Sequence, residues 1–167
     1  MHLLDANVLI TAKNQYYPFQ RVPEFWEWLV HMGTTGALKV PIEILEEVVG
    51  GADDLAEWLA DPENYDALCL EEEVTPAHVQ AVISRYAPDL SDAELIKVGR
   101  DPFLIAYALA DPDLRLVVTV ESSKPNCTRA NRRIPDVCND LGVRWCNSFK
   151  MLTNLDFSTN WKSRGRG

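Results

Sequence analysis

The sequence predicts an α/β domain of three layers, α/β/α, with a central parallel sheet. Three observations predict it. Short apolar runs alternate along the chain with longer stretches of helical periodicity, as in parallel sheets whose crossovers are helices. One run, "LRLVVTV" (114–120), is almost continuously apolar, as in a strand buried on both faces. "PFLIAYALA" (102–110) is apolar on every side, which puts a helix inside a domain and not on its surface.

Taken in order, Leu3-Leu4 reads as a short buried strand that stops at Asp5, and a helix follows from about Ala6. "YYPFQRVP" (16–23) is a connector rich in aromatics and proline. "PEFWEWLVHM" carries Phe25, Trp26, Leu29 and Met32 at i, i+1, i+4 and i+7, the stripe of an amphipathic helix, and Gly36 ends it. "ALKV" (37–40) is a short strand, and Pro41 opens the helix "PIEILEEVV", which Gly50-Gly51 stops. "DDLAEWLA" (53–60) gives another helix, with Leu55, Trp58 and Leu59 on one face. "DALCL" (66–70) reads as a strand or an extended link. Thr75-Pro76 starts a further helix, and Ser91 with Glu94 has the spacing of a capping box. Asp101-Pro102 begins the buried helix, "GVRWC" (142–146) is the last strand and "SFKML" (148–152) the last helix. Residues 1–155 thus form one domain. Residues 156–167, ending "NWKSRGRG", have no periodicity and read as a flexible basic tail.

No apolar run reaches the length of a membrane span and no signal peptide precedes Asp5, so the expectation is a cytoplasmic protein without a membrane partner. Cys69, Cys127, Cys138 and Cys146 contain no CxxC pair, which argues against a zinc ribbon or a redox pair and for reduced thiols. The net charge of −9 is unevenly spread. Residues 1–114 carry 6 Lys/Arg and 21 Asp/Glu, a net of −15, whereas residues 115–167 carry 10 and 4, a net of +6. A basic C-terminal third on an acidic chain suggests a polyanionic partner, or a solvated face that balances an acidic one.

In an open parallel sheet, ligands bind at the carboxyl ends of the strands. Asp5 follows the first strand and Glu121 follows "LVVTV". Asp101 opens a helix that runs straight into that strand, so its N-terminus faces the same edge. Glu47 comes one to two turns into a helix that itself follows a strand end. Taken singly, each acid has an ordinary structural explanation. Asp5 caps the next helix, Asp101 is an N-cap beside a Pro at N1, Glu47 and Glu46 are solvated helix surface, and Glu121 is a loop acid. Together they would repel one another unless a cation neutralises them. A hard divalent ion with oxygen ligands, Mg²⁺ or Mn²⁺, is the natural one.

The blocks "LLDANVLI", "PIEILEEV", "DPFLIAYALA" and "VVTVE" stand in the order and spacing of a PIN domain. The chain resembles that metal-dependent ribonuclease family over roughly residues 2–153. "DANVLI…YYPF…FWEWL" together with "IPDVC…LGVRW" is similar to one toxin-like bacterial PIN subfamily. The resemblance implies a PIN-like fold whose catalytic, metal-holding acids are Asp5, Glu47, Asp101 and Glu121. Glu47 is preferred to Glu46 because Pro41, Ile44 and Glu47 match the helix pattern before the family's acid. Asn7 and Thr119 match supporting positions. Ala6 stands where the family usually has Thr or Ser, and Glu121 where it usually has Asp. The implied activity is Mg²⁺- or Mn²⁺-dependent hydrolysis of RNA phosphodiesters. The implied partners are RNA and, as for a toxin of a toxin–antitoxin pair, an antitoxin protein; a homodimer is a further candidate assembly.

"SSKPNCTRANRR" directly follows Glu121. Lys124, Arg129, Arg132 and Arg133 are therefore expected to contact substrate phosphates, with Arg144, Lys162, Arg164 and Arg166 extending the flank. Asp136, in "IPDVC", is an accessory acid or a helix-start residue. His2, His31 and His78 lack metal-ligand spacing, and Trp26, Trp28 and Trp58 read as core. Two other functions compete. One is a PIN-like scaffold that binds RNA or protein but cuts nothing. The other, a phosphatase of the haloacid dehalogenase type, needs a second Asp two residues after the strand-end acid, where Asn7 stands.

Overall fold

The computed structural model describes residues 1–164. Its elements run β1 (His2–Leu4), α1 (Ala6–Thr11) continued by a π-helical turn (Ala12–Tyr16), α2 (Pro23–Thr34), β2 (Leu38–Pro41), α3 (Ile42–Val49), α4 (Asp54–Leu59), α5 (Pro62–Leu68), β3 (Cys69–Leu70), α6 (Pro76–Tyr86), α7 (Asp92–Val98), α8 (Asp101–Leu109), β4 (Leu116–Val118), a 3₁₀ turn (Arg129–Asn131), α9 (Ile134–Leu141), β5 (Trp145–Cys146), α10 (Ser148–Asn154) and α11 (Trp161–Arg164). The strands form one sheet in the order β3-β2-β1-β4-β5, and all four pairings are parallel. Helices flank it in the expected three-layer arrangement. The chain winds outward from β1 to β3 and then returns across β1 to lay down β4. The order therefore reverses between β1 and β4, and at such a switch point the loops part and leave a crevice.

β1 sits at the centre because Leu3 and Leu4 are both fully buried, as a strand covered on both faces requires. α8 packs against α3, α6 and α9 and against β1, β2 and β4. Leu104, Ile105, Ala106 and Ala108 are all 0% exposed, as its all-round apolar sequence requires. Ser91 and Glu94 form both halves of the capping box that starts α7. Gly99, at φ +61, reverses the chain between α7 and α8, a conformation that strains a residue bearing a Cβ.

Three expectations need correction. "DALCL" is mostly helix: Asp61 accepts a hydrogen bond from Glu63 N–H and Pro62 follows it, a strong helix start, so α5 runs to Leu68 and only Cys69-Leu70 pair as a strand. "YYPFQRVP" begins one residue late as a connector, because the π-helical turn carries the first helix to Tyr16. The segment from 156, expected to be a flexible tail, is anchored at Phe157 and Trp161. The Phe157 ring meets Tyr17, Phe25 and Trp28. Trp161 stacks on His31 and donates its indole N–H to Glu24 O at 3.0 Å. Arg166 lies outside the described residues. The cysteines are free thiols, buried at Cys69, Cys138 and Cys146 and partly buried at Cys127. Among the described residues, no helix is long and apolar enough to cross a membrane.

α2 and α5 approach so closely that a Cβ built on Gly33 would lie 2.5 Å from Ala67 O. Gly33→Ala is therefore expected to force the helices apart and cost ~1–3 kcal/mol, lowering the melting temperature by ~2–4 °C per kcal/mol. Thermal unfolding followed by circular dichroism measures it, and an unchanged midpoint would disprove the close approach.

Candidate functional site

Pairing of Leu4 with Val118 brings the next residues, Asp5 and Thr119, together at the strand ends. Asp5 N–H donates to Val118 O at 3.0 Å, and Thr119 N–H to Cys146 O at 3.1 Å. Across the seam the Thr119 hydroxyl donates to Asp5 Oδ2 at 2.9 Å. The same hydroxyl oxygen accepts Glu121 N–H at 3.1 Å. Asp5 is 3% exposed and Thr119 0%, so the carboxylate and its donor are both withdrawn from water. Asp5 is also the N-cap of α1, its Oδ1 facing Asn7 N–H at a long 3.5 Å. The capping explanation and the strand-end explanation thus both hold for this residue.

Asp101 is not the N-cap it was expected to be. Arg100 occupies that position, and no side chain caps α8. With Gly99 turning the chain just before it, Asp101 falls inside the first turn. Its partly buried carboxylate meets the Tyr86 hydroxyl at 3.5 Å. Tyr86, at the end of α6, is 3% exposed, and its phenol is raised far above the ordinary range by burial and by the Asp101 charge.

The electrostatics of this edge are those of crowded anions. Burial pushes the Asp101 carboxyl up to about 8, reinforced by the charges of Asp5, Glu121 and Glu47 and opposed by the Tyr86 hydroxyl. Burial pushes Asp5 up to about 6, opposed by its bonds from Thr119 and Asn7 and reinforced by Glu121. Asp101 thus feels the charge of each of the other three sequence-selected acids, although these stand on unequal terms. Glu47 is exposed on α3. Glu121 is engaged twice: Oε1 accepts from Arg133 Nη1 at 2.7 Å and Oε2 accepts Ile134 N–H at 2.8 Å. Glu121 thus ties the end of β4 to the N-terminus of α9, where a carboxylate is favoured.

The basic flank turns largely inward. Arg129 donates to Glu94 at 2.6 and 2.8 Å and to Asp89 Oδ1 at 2.7 Å, and it adopts a left-handed φ of 54°. Its bonds pull the Glu94 carboxyl down to about 2. Arg132 donates to Asp140 at 2.6 Å and to Arg85 O at 2.5 Å. Lys124 is exposed, and its backbone N–H donates to Asp136 Oδ2 at 2.8 Å. Arg144 donates to Pro112 O and Asp113 O, and Lys162 pairs with Glu27.

Hard oxygen donors at negative potential match a divalent cation in chemistry. In geometry the set is open: among the described residues, no group of three or more His, Cys, Asp or Glu is arranged to hold a metal ion. Arg133 and α9 hold Glu121, Glu47 stands in solvent, and Asp5 and Asp101 remain as the inward acids.

One contributor went unseen in the sequence, and a second was given a different role. Tyr86 lies fifteen positions before its partner Asp101, with no local signal linking them. Asp136 was singled out, but its work is to hold the loop after β4. It is 7% exposed and accepts from Ser123 Oγ at 2.5 Å as well as from Lys124 N–H.

Comparison with known proteins gives one family model, described as a domain of unknown function (DUF4411), which matches residues 2–159. No curated protein matches the chain, and no solved structure does.

Both shifted carboxyls stand above the ordinary 3.8. Between about pH 4 and those raised values the folded chain holds protons that the unfolded chain has lost. Without divalent ions, stability is therefore expected to fall as pH rises, through about 6 for Asp5 and about 8 for Asp101. Asp101→Asn should flatten that fall and raise the melting temperature at pH 8 by ~2–4 °C for each kcal/mol of repulsion relieved. Melting curves across pH in a chelating buffer measure both, and equal pH dependence in the two proteins would refute the repulsion.

Proposed function

The chain belongs to the DUF4411 family, and we propose that it is a metal-dependent endoribonuclease of PIN-like type, hydrolysing RNA phosphodiesters at the β1–β4 crevice. One observation carries this: at the switch point of the sheet Asp5 is buried at the end of β1, and Asp101, partly buried at the start of α8, has its carboxyl raised by burial and by the charges of Asp5, Glu121 and Glu47. Buried like charges cost stability, and a site that binds a cation offsets the cost.

In this reading Asp5 and Asp101 would hold a Mg²⁺ or Mn²⁺ ion, and Glu121 would join them if its pair with Arg133 opened. The bound ion supplies Lewis-acid polarisation of a phosphoryl oxygen and lowers the pKa of a water. The Thr119 hydroxyl fixes Oδ2 of Asp5, so the carboxylate is aimed before substrate arrives. Asp101, whose carboxyl is raised by burial and by its acidic neighbours, would have to be ionised to serve as a ligand, so cation affinity is expected to rise with pH. Arg133, once free of Glu121, has its guanidinium available to a substrate phosphate at the same edge. Lys124 is the exposed cation of the adjoining loop. An antitoxin protein is a fitting partner for such an activity.

A second function has its own support, a PIN-like scaffold that binds RNA or protein without cutting. The Glu121–Arg133 pair and the open geometry of the acids favour it.

Purified protein with mixed RNAs and Mn²⁺ separates the two. Asp5→Asn and Asp101→Asn are each expected to reduce cleavage by more than the ~10–100-fold that loss of a supporting group outside the ligand set costs. Wild-type-like cutting by both variants would overturn the assignment. Mn²⁺ should raise the melting temperature of wild type by mass action, worth ~2.7 kcal/mol at a hundred times the dissociation constant. A rise just as large in Asp101→Asn would put the ion elsewhere.

A further inference from the structure

Beside the acids, on the β5 side, lies a cleft of about 290 Å³ whose walls include Glu121, Ser122, Tyr16, Phe149, Trp145 and Asn147. None of its ten lining residues is Lys or Arg, so a phosphate finds no countercharge there. It offers instead aromatic rings with hydroxyl and amide groups at the margins. Tyr16 is 45% exposed and Phe149 51%, although both are large apolar rings next to a well-filled core. Their centroids lie 5.2 Å apart at an interplanar angle of 71°. An edge-to-face pair of this kind is held in place by its own quadrupoles, and at such exposure the rings keep surface open to a flat ligand.

Two separate elements place the rings. Tyr16 is the last residue of the π-helical turn after α1, and such turns interrupt helices often at functional sites. Phe149 is the second residue of α10, whose N-cap Asn147 accepts Lys150 N–H through its side-chain oxygen. That bond leaves the Asn147 amide NH₂ as a donor at the wall. Glu121 lines the cleft, and its backbone N–H is held by the Thr119 hydroxyl that also bonds Asp5, so the cleft adjoins the Asp5 carboxylate through two hydrogen bonds. The volume lies just under the ~300–1,000 Å³ range of small-ligand sites, enough for one base and not for a duplex.

We infer that Tyr16 and Phe149 form a base-stacking subsite that selects single-stranded over duplex RNA and positions the strand for the acids. The inference rests on the nuclease reading for its substrate, and it adds two positioning residues. Stacking on aromatic side chains tolerates any base and depends on an unpaired one.

The test measures binding of a short single-stranded RNA carrying 2-aminopurine, and of its duplex form, to the Asp5→Asn protein, so that nothing is cut. Tyr16→Leu and Phe149→Leu are each expected to weaken single-strand binding by roughly fivefold to a hundredfold and to abolish the fluorescence change of the stacked base. Tyr16→Phe and Phe149→Tyr keep the rings and should preserve both signals. Melting curves identify any leucine variant that fails to fold, in which case the ring-keeping and ring-removing variants at the other position decide. Leucine variants that bind as tightly as their parent, or a duplex bound as tightly as the single strand, overturn the subsite. Mn²⁺-dependent cleavage by the chain with native Asp5 is assayed in parallel. Ring-dependent binding without cleavage leaves the subsite standing and removes the nuclease. Cleavage unaffected by ring loss at low RNA removes the subsite and leaves the nuclease, and an absence of RNA binding removes both.

Discussion

The hydrogen bond from Thr119 to Asp5 is the interaction on which the candidate site depends. It spans the seam between the first strand and the fourth, which are joined by more than a hundred residues of chain. Parallel pairing alone would bring two strand ends together. The hydroxyl does more, since it satisfies one oxygen of a buried carboxylate and with its own oxygen holds the backbone of Glu121. Glu121 in turn fastens the start of α9. A single buried hydroxyl thus couples the aim of Asp5, the exit of β4 and the entry of α9. Removing it would leave Asp5 with only the long bond from Asn7 and its own burial penalty.

Much of the fold could be read from the chain, because each strong local signal agrees with the packing. The all-round apolar helix is buried, the capping box caps, and β1, β2, β4 and β5 each overlap a run expected to be a strand. The errors lie where a local signal was read past or a distant contact decides. Asp61-Pro62 marks a helix start that the apolar "DALCL" obscured. The C-terminal segment lacks periodicity, yet Phe157 and Trp161 are anchored by aromatic partners on residues far earlier in the sequence. Strand-end topology puts Asp5 beside Thr119, two residues before Glu121, as the apolar runs imply. The inequality of the acids was not legible: nothing in "VVTVE" says that Glu121 turns toward Arg133.

The charge split has a different outcome from the one its bulk value suggests. A net of +6 over residues 115–167 looks like a surface for a polyanion, but Arg129, Arg132 and Arg133 are matched to Glu94, Asp140 and Glu121. Their role in the folded chain is to fasten the loop between β4 and α9 to α7 and to the acid edge. Arg129 also holds a backbone conformation uncommon for a residue with a side chain, and its carboxylate partners offset the strain. Opposite charges distributed far apart in sequence thus act first as cross-links.

The outermost strands, β3 and β5, are two residues each. An edge strand normally exposes a row of free N–H and C=O groups that can recruit a strand from another molecule. Edges this short present too few such groups for stable intermolecular pairing, so the sheet is self-limiting at both ends. The core is thereby shielded from the strand-by-strand growth that leads to aggregation.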